Sequence, residues 1–186
     1  TIQVIPHIVG EIVKRIKEAG EGHEILIVEL GGTVGDIEGL PFMEAIRQMK
    51  HDEEVAGTFF VHVTLIPFIK AAGELKSKPT QHSVQELRRI GITPQMIIAR
   101  SENALPKTFK KKLAMSCDVS SDSVIEALDA ASIYDIPMSF LRQNILKPIS
   151  KELDLGELNP DMEKWDSLVK KIVQPKNRIV LGFVGK

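Results

Sequence analysis

Cysteine is nearly missing: Cys117 stands alone in 186 residues, so no disulfide can form within the chain. That fits a reducing compartment, and a cytoplasmic location is expected. Charge of one sign is lacking as well, since 24 basic and 25 acidic residues leave a net charge of −1. Such a balance offers no broad field, so neither nucleic acid nor membrane is expected as a partner. No apolar run approaches the ~20 residues that a spanning helix needs. The opening Thr1-Ile-Gln-Val-Ile-Pro-His7 has the features of neither a signal nor a transit peptide. It also lacks an initiator methionine, and sequence upstream is expected. His7, His23, His51, His62 and His82 show no ligand spacing, which argues against zinc. Internal repeats and low-complexity segments are absent.

What is present suits a packed domain. A hydrophobic fraction of 43% and a charged fraction of 26% are ordinary for a chain that buries a core without disulfides. Pro6 can open a helix whose face carries Ile8, Ile12, Val13 and Ile16, with Gly20 as its stop. Glu24-Ile-Leu-Ile-Val-Glu-Leu30 reads as a buried parallel strand, followed by a glycine-rich turn and a helix from Pro41. Thr58 to Ile66 reads as a strand, Pro67 to Pro79 as a loop, and Thr80 to Ile90 as a helix with Ser83 and Glu86 at capping-box spacing. Met96 to Ala99 reads as a strand, Pro106 to Cys117 as a basic helix and Val124 to Ala127 as a strand. A short helix over Met138 to Gln143 follows, then a helix capped by Asn159-Pro160 and carrying Trp165, Leu168, Val169 and Ile172. Arg178 to Val184 reads as a fresh strand. Strands alternating with helices predict an α/β fold with a mostly parallel sheet, of Rossmann-like type. Pro148 to Pro160 marks a boundary, and Pro175 to Asn177 a linker, dividing a domain over 1–177 from the start of another over 178–186.

In open parallel sheets, ligands sit beyond the carboxyl ends of strands. Two loops stand out there. In Glu29-Leu-Gly-Gly-Thr-Val-Gly-Asp-Ile-Glu38, a carboxylate at a strand's end can hold Mg²⁺ that also touches nucleotide phosphates. Glycines let the backbone approach a ligand, and Asp36 and Glu38 can accept from sugar hydroxyls or a base amino group. A tight turn with solvated carboxylates remains open as the other reading. In Gly73-Glu-Leu-Lys-Ser-Lys-Pro-Thr-Gln81, Lys76 and Lys78 stand two apart, with Thr80 and Gln81 opening a helix. Lysine charges beside helix N–H groups make an anion cradle, although a solvated basic loop has the same composition.

Other candidates carry less. Gly182-Phe-Val-Gly-Lys186 is too short for a phosphate loop. Cys117 has no nucleophile-elbow glycines around it and reads as a buried thiol. Lys110-Lys-Lys112 reads as a solvated helix face, and Met43, Met49, Met96 and Met115 as core filler.

The string Val28-Glu-Leu-Gly-Gly-Thr-Val-Gly-Asp-Ile-Glu38 resembles the signature of the cytidine triphosphate synthase family, together with Leu40-Pro-Phe-Met-Glu-Ala-Ile-Arg-Gln48. So does Gly73-Glu-Leu-Lys-Ser-Lys-Pro-Thr-Gln-His-Ser-Val-Gln-Glu-Leu-Arg-Arg-Ile-Gly-Ile92. The similarity runs along the whole chain, strongest over 24–101 and looser over 118–176. It implies a phosphate-loop ligase-like fold and a ligase that makes CTP from UTP. ATP phosphorylates the uracil O4, and ammonia from glutamine displaces the phosphate at C4. The resemblance implies Mg²⁺ at Glu29. It implies UTP or CTP contacts at Asp36, Ile37 and Glu38, at Lys76, Ser77, Lys78, Pro79, Thr80 and Gln81, and at Lys112 across a subunit interface. ATP contacts are implied at Leu128, Asp129 and Ala130. Lys78 and Glu29 are the residues expected in catalysis. Also implied are feedback inhibition by CTP, altered by Ser116 where some members carry an aromatic residue, and a homotetramer.

The family's phosphate loop with a second Mg²⁺-binding aspartate is expected upstream of Thr1, and its glutaminase domain with a Cys-His-Glu triad from near Arg178. On that expectation the 186-residue chain alone is inactive. Two alternatives stand beside this. One is another phosphate-loop ligase or ATPase, such as a dethiobiotin-synthetase-like or partitioning protein, against which the Lys-Ser-Lys-Pro-Thr-Gln loop argues. The other is a non-catalytic domain that binds CTP and assembles.

Overall fold

Residues 1–175 and 179–185 are described by the computed structural model of this chain. Among them the strands are β1 Val61–Leu65, β2 Phe68–Ile69, β3 Glu74–Leu75, β4 Met96–Ser101 and β5 Val124–Leu128. The α-helices are α1 Val9–Gly20, α2 Leu40–Met49, α3 Lys78–Arg89, α4 Lys107–Cys117, α5 Ile136–Arg142, α6 Leu146–Leu153 and α7 Glu163–Val173. The fold is α/β, with a three-stranded parallel sheet in the order β1-β4-β5 flanked by helices, consistent with a Rossmann-like architecture. β2 and β3 form a small antiparallel hairpin between β1 and α3. Parallel neighbours need a crossover, and α3 and α4 supply the two that this sheet requires.

Register decides which side chains meet. Ile97 lies opposite His62 on β1 and Val124 on β5. Because strand side chains alternate, Ile97, Ala99 and Val124 share the face that packs on Val84 of α3 and on Leu113, Ala114 and Cys117 of α4. β4 is buried on both faces at Met96 and Ile97, as a central parallel strand should be. Cys117 is buried, and burial pushes its thiol up from the ordinary value. A second cluster joins Met43 of α2, Leu87 of α3 and Ile92, with Leu30, Val34 and Phe60 packed against it.

The edge of the sheet at β5 is closed by one side chain. The Gln143 amide oxygen accepts from Glu126 N at 2.9 Å, while its NH₂ donates to Glu126 O at 2.8 Å. A glutamine thus stands where a neighbouring strand's backbone would. Its oxygen also accepts from Lys110 Nζ at 3.2 Å, tying α4 to the same edge.

Several expectations are corrected. Residues 24–30 form no strand: no ladder pairs them, and Ile25, Leu26, Ile27 and Val28 are exposed. Apolar sequence alone cannot make a strand that lacks a hydrogen-bonding neighbour. Ser83 and Glu86 are not a cap, because α3 begins at Lys78 and places both inside the helix. The stretch from Pro67 to Pro79 is not wholly loop, holding the hairpin and the first residues of α3. Pro148 lies in the first turn of α6, which the sequence did not announce, and α7 starts at Glu163 rather than at Pro160. Met115 is 80% exposed, not core, since α4 turns Leu113 and Ala114 inward instead. Ile179 to Val184 carry no strand and are exposed. Lys176, Asn177, Arg178 and Lys186 lie outside the described residues, and with them part of the linker and of that expected strand. No helix among the described residues is long and apolar enough to cross a membrane.

Candidate functional site

β1 runs into the lysine loop at its carboxyl end. Ile66 N donates to Arg100 O at 2.7 Å, continuing the ladder by one residue, and the chain then turns through the hairpin. Lys76 N donates to Pro67 O at 2.9 Å, and Leu75 packs on the main core, so the hairpin is fastened at both sides. Ser77 is buried at the N-cap position of α3, and its hydroxyl accepts from Gln81 Nε2 at 3.0 Å. Pro79 sits in the first turn, where its missing N–H costs little. Thr80 is fully buried, its hydroxyl 3.0 Å from that of Thr64 on β1. One turn on, Ser83 Oγ lies 3.0 Å from His62 Nε2. These two polar contacts seat the start of α3 on β1.

This seat aims the helix N-terminus at the mouth of the sheet. The first-turn N–H groups of Lys78 and Thr80 have no intrahelical acceptor, and the helix dipole adds partial positive charge there. Lys78 is exposed at that end. Lys76 forms an ion pair with Glu74 two residues back. The Lys76 ammonium, by hydrogen bond and by charge, holds the Glu74 carboxyl below its usual range, and Lys112 of α4 adds to the effect. Lys112, exposed on α4, therefore acts on the same small region as Lys76. Ser116, also exposed, lies one turn further along α4.

Glu29, Asp36, Ile37 and Glu38 are all exposed. Their loop is shaped by its own backbone: Asp36 Oδ2 accepts from Thr33 N at 3.2 Å, and Asp36 N donates to Thr33 O at 3.0 Å. Gly32 and Gly35 have φ of 90° and 100°, a region that favours glycine and lets the turn close. Ile37–Gly39 form a single 3₁₀ turn leading into α2. Leu30 and Val34 anchor the loop to Leu87 and Ile92, at the far end of α3 from Lys78. Nine residues of helix put that anchor about 13 Å from the lysines. Among the described residues, no hydrogen bond or ion pair links the acidic loop to the lysine loop.

Leu128, Asp129 and Ala130 stand where β5 ends, at the same carboxyl end of the parallel sheet as the lysine loop but on the opposite edge strand. Asp129 N donates to Ser101 O at 3.3 Å, and its carboxylate is 3.5 Å from Arg100 Nη2. No group of three or more potential metal ligands gathers among the described residues. Mg²⁺ takes one or two protein carboxylates together with phosphates and water, and the exposed Glu29 fits as one such ligand. Sequence reasoning missed Thr64, Glu74 and Arg100, which contact expected site residues. The signals were present: polar residues alternating at His62 and Thr64 on an otherwise apolar strand, and an acid two before Lys76.

Comparison with known proteins adds a family. The family described as CTP synthase N-terminus matches residues 1–155. CTP synthase of Sulfurimonas denitrificans is 96% identical over 186 residues, all of this chain and 34% of that protein. Those of Nautilia profundicola and Campylobacter jejuni are 62% and 64% identical over the same span, again 34% of their length. The chain thus spans about a third of the length of the curated relatives it matches.

Proposed function

The chain belongs to the CTP synthase N-terminus family, and from that premise we propose that it carries the pyrimidine-nucleotide loops of an enzyme that aminates UTP to CTP. The observation that carries this reading is the start of α3, where Lys76, Lys78, Thr80 and Gln81 surround a helix N-terminus at the mouth of a parallel sheet. Lys76 and Lys78 take the triphosphate of UTP or of the inhibitor CTP as point charges, and the α3 dipole adds to them. Ser77 and Pro79 shape the turn, and Lys112 reaches the same nucleotide. Asp36, Ile37 and Glu38 contact ribose and base. The separation of their loop from the lysines supports a site shared between copies, in line with a homotetramer. Leu128, Asp129 and Ala130 meet the adenine of ATP.

In the reaction, the γ-phosphoryl of ATP passes to O4 of the uracil ring, releasing ADP. Ammonia, free or released from glutamine elsewhere in the enzyme, then attacks C4, loses a proton and expels inorganic phosphate. Phosphoryl transfer asks chiefly for positioning and charge stabilisation, which lysines and a helix N-terminus can give. Mg²⁺ bound with ATP and held in part by Glu29 would neutralise charge that develops on the phosphoryl oxygens.

The test is conversion of UTP to CTP by the natural full-length protein with ATP, Mg²⁺ and either ammonia or glutamine, with Lys78→Ala alongside. Turnover by the wild type and its loss by at least about 100-fold in the variant are expected, the size that removing one positioned charge stabiliser gives. The 186-residue chain by itself is expected to make no CTP. No turnover with either nitrogen source, with CTP binding retained, would move the assignment to a binding and assembly domain.

A further inference from the structure

Glu74 is the feature of the lysine loop that the proposed reaction leaves unexplained. It sits on β3 at the mouth of the sheet, and its carboxylate pairs with Lys76, a residue assigned above to the triphosphate. Both side chains are about half exposed, at 54% and 43%, so the pair is open to competition from solution. The hairpin that carries it is fixed: Phe68 lies opposite Leu75, and Ile69 opposite Glu74. Leu75 faces the core, so alternation turns Glu74 outward to the side from which a ligand arrives. An anion thus already occupies one of the two lysines of the cradle, and the Lys112 ammonium acts on that anion too.

We propose that Glu74 is an internal stand-in for a ligand phosphate: it neutralises Lys76 in the free protein and must release it when a nucleoside triphosphate binds. This rests on the reading of the loop as a triphosphate site. Two consequences follow from electrostatics. An exposed ion pair is weak and exchangeable, so the barrier to displacement is small. A polyanion carries several negative charges against the one of Glu74, and so wins Lys76 while repelling the displaced carboxylate. The pair thereby keeps two neighbouring lysines from capturing weaker anions without closing the site to its ligand.

The idea predicts a gain rather than a loss. In the natural full-length protein, Glu74→Gln should bind UTP and inorganic triphosphate about three- to fivefold more tightly by titration calorimetry, the range set by breaking an exposed ion pair. Glu74→Gln in a Lys76→Gln background should change affinity far less, since the competition is for Lys76. Thermal melting should be unchanged, because Glu74 makes no buried contact. Weaker binding in Glu74→Gln would overturn the proposal and make Glu74 a residue that holds Lys76 in place for the ligand. An equal gain in both backgrounds would also overturn it, leaving only general repulsion. If the wild type binds neither UTP nor inorganic triphosphate, the triphosphate reading itself fails and this inference with it. Wild-type binding with no gain in Glu74→Gln, by contrast, overturns this proposal alone and leaves the triphosphate reading standing.

Discussion

His62 faces α3 from β1, 7% exposed, with Nε2 against Ser83 Oγ at 3.0 Å. Burial holds its imidazole below the ordinary 6.5. The unfolded chain therefore takes the proton first, so this contribution to stability is present above the unfolded value and is lost as pH falls through the lower folded one. The urea midpoint should drop as pH falls below about 6.5, and His62→Gln should flatten that limb. Glu44 acts further into acid. Hydrogen bonds from Arg47 and Gln48 hold its carboxyl down to about 2 from 4.5. Its contribution is present above 4.5 and lost as pH falls through about 2, so Glu44→Gln should make the deep-acid limb of the same titration shallower. Gly91 has φ of 94°, and a Cβ there would lie 2.8 Å from Arg47 Cδ. Gly91→Ala combines left-handed strain with displacement of a movable side chain, costing about 1–2 kcal/mol. A melting point lower by about 3–6 °C is expected in calorimetry.

Elements show how far pattern reading carries. α1, α2 and α4 were legible because they open or close at Pro41, Pro106 or Gly20, and α3 from the helical pattern of Thr80 to Ile90. β1, β4 and β5 were legible because their cores are dense in Val, Ile and Thr. The segment over 24–30 has the same density, yet forms no strand, because a strand exists only by pairing and no local pattern encodes a partner. β4 is the element most dependent on packing: Ile97 is wholly buried between the other two strands and α3 with α4. Ile97→Ala should cost about 2–5 kcal/mol, read from the denaturant midpoint. The edge at β5 tests a polar device instead. Gln143→Leu would leave Glu126 N and O without their partner, costing about 1–3 kcal/mol. Faster amide exchange at Glu126 than at Ile98 is the expected local sign.

Seen whole, the molecule has one finished face and one unfinished. Register puts Val61, Val63 and Leu65 on the side of the sheet away from α3, and these are 42%, 65% and 59% exposed. The exposed Ile25 to Val28 and the free edge of β1 add further apolar and hydrogen-bonding surface. Such an edge templates association. The 186-residue chain should therefore self-associate with rising concentration in sedimentation, and Val63→Lys should shift it toward monomer. The same scale governs the candidate site. The lysine loop, the end of β5 and Lys112 share one rim, while the acidic loop hangs from the other end of α3.

Local composition, periodicity and long motifs are enough to carry the α/β class, the family and the two loops with their charged residues. Tertiary structure alone decided which of them meet. Pairing placed Thr80 against Thr64 and Asp129 against Arg100. It also denied residues 24–30 a place in the sheet. The physical reason is that propensity and pattern act over a few neighbouring residues. Hydrogen-bond partners and ion pairs between distant segments are fixed only when the sheet sets its register.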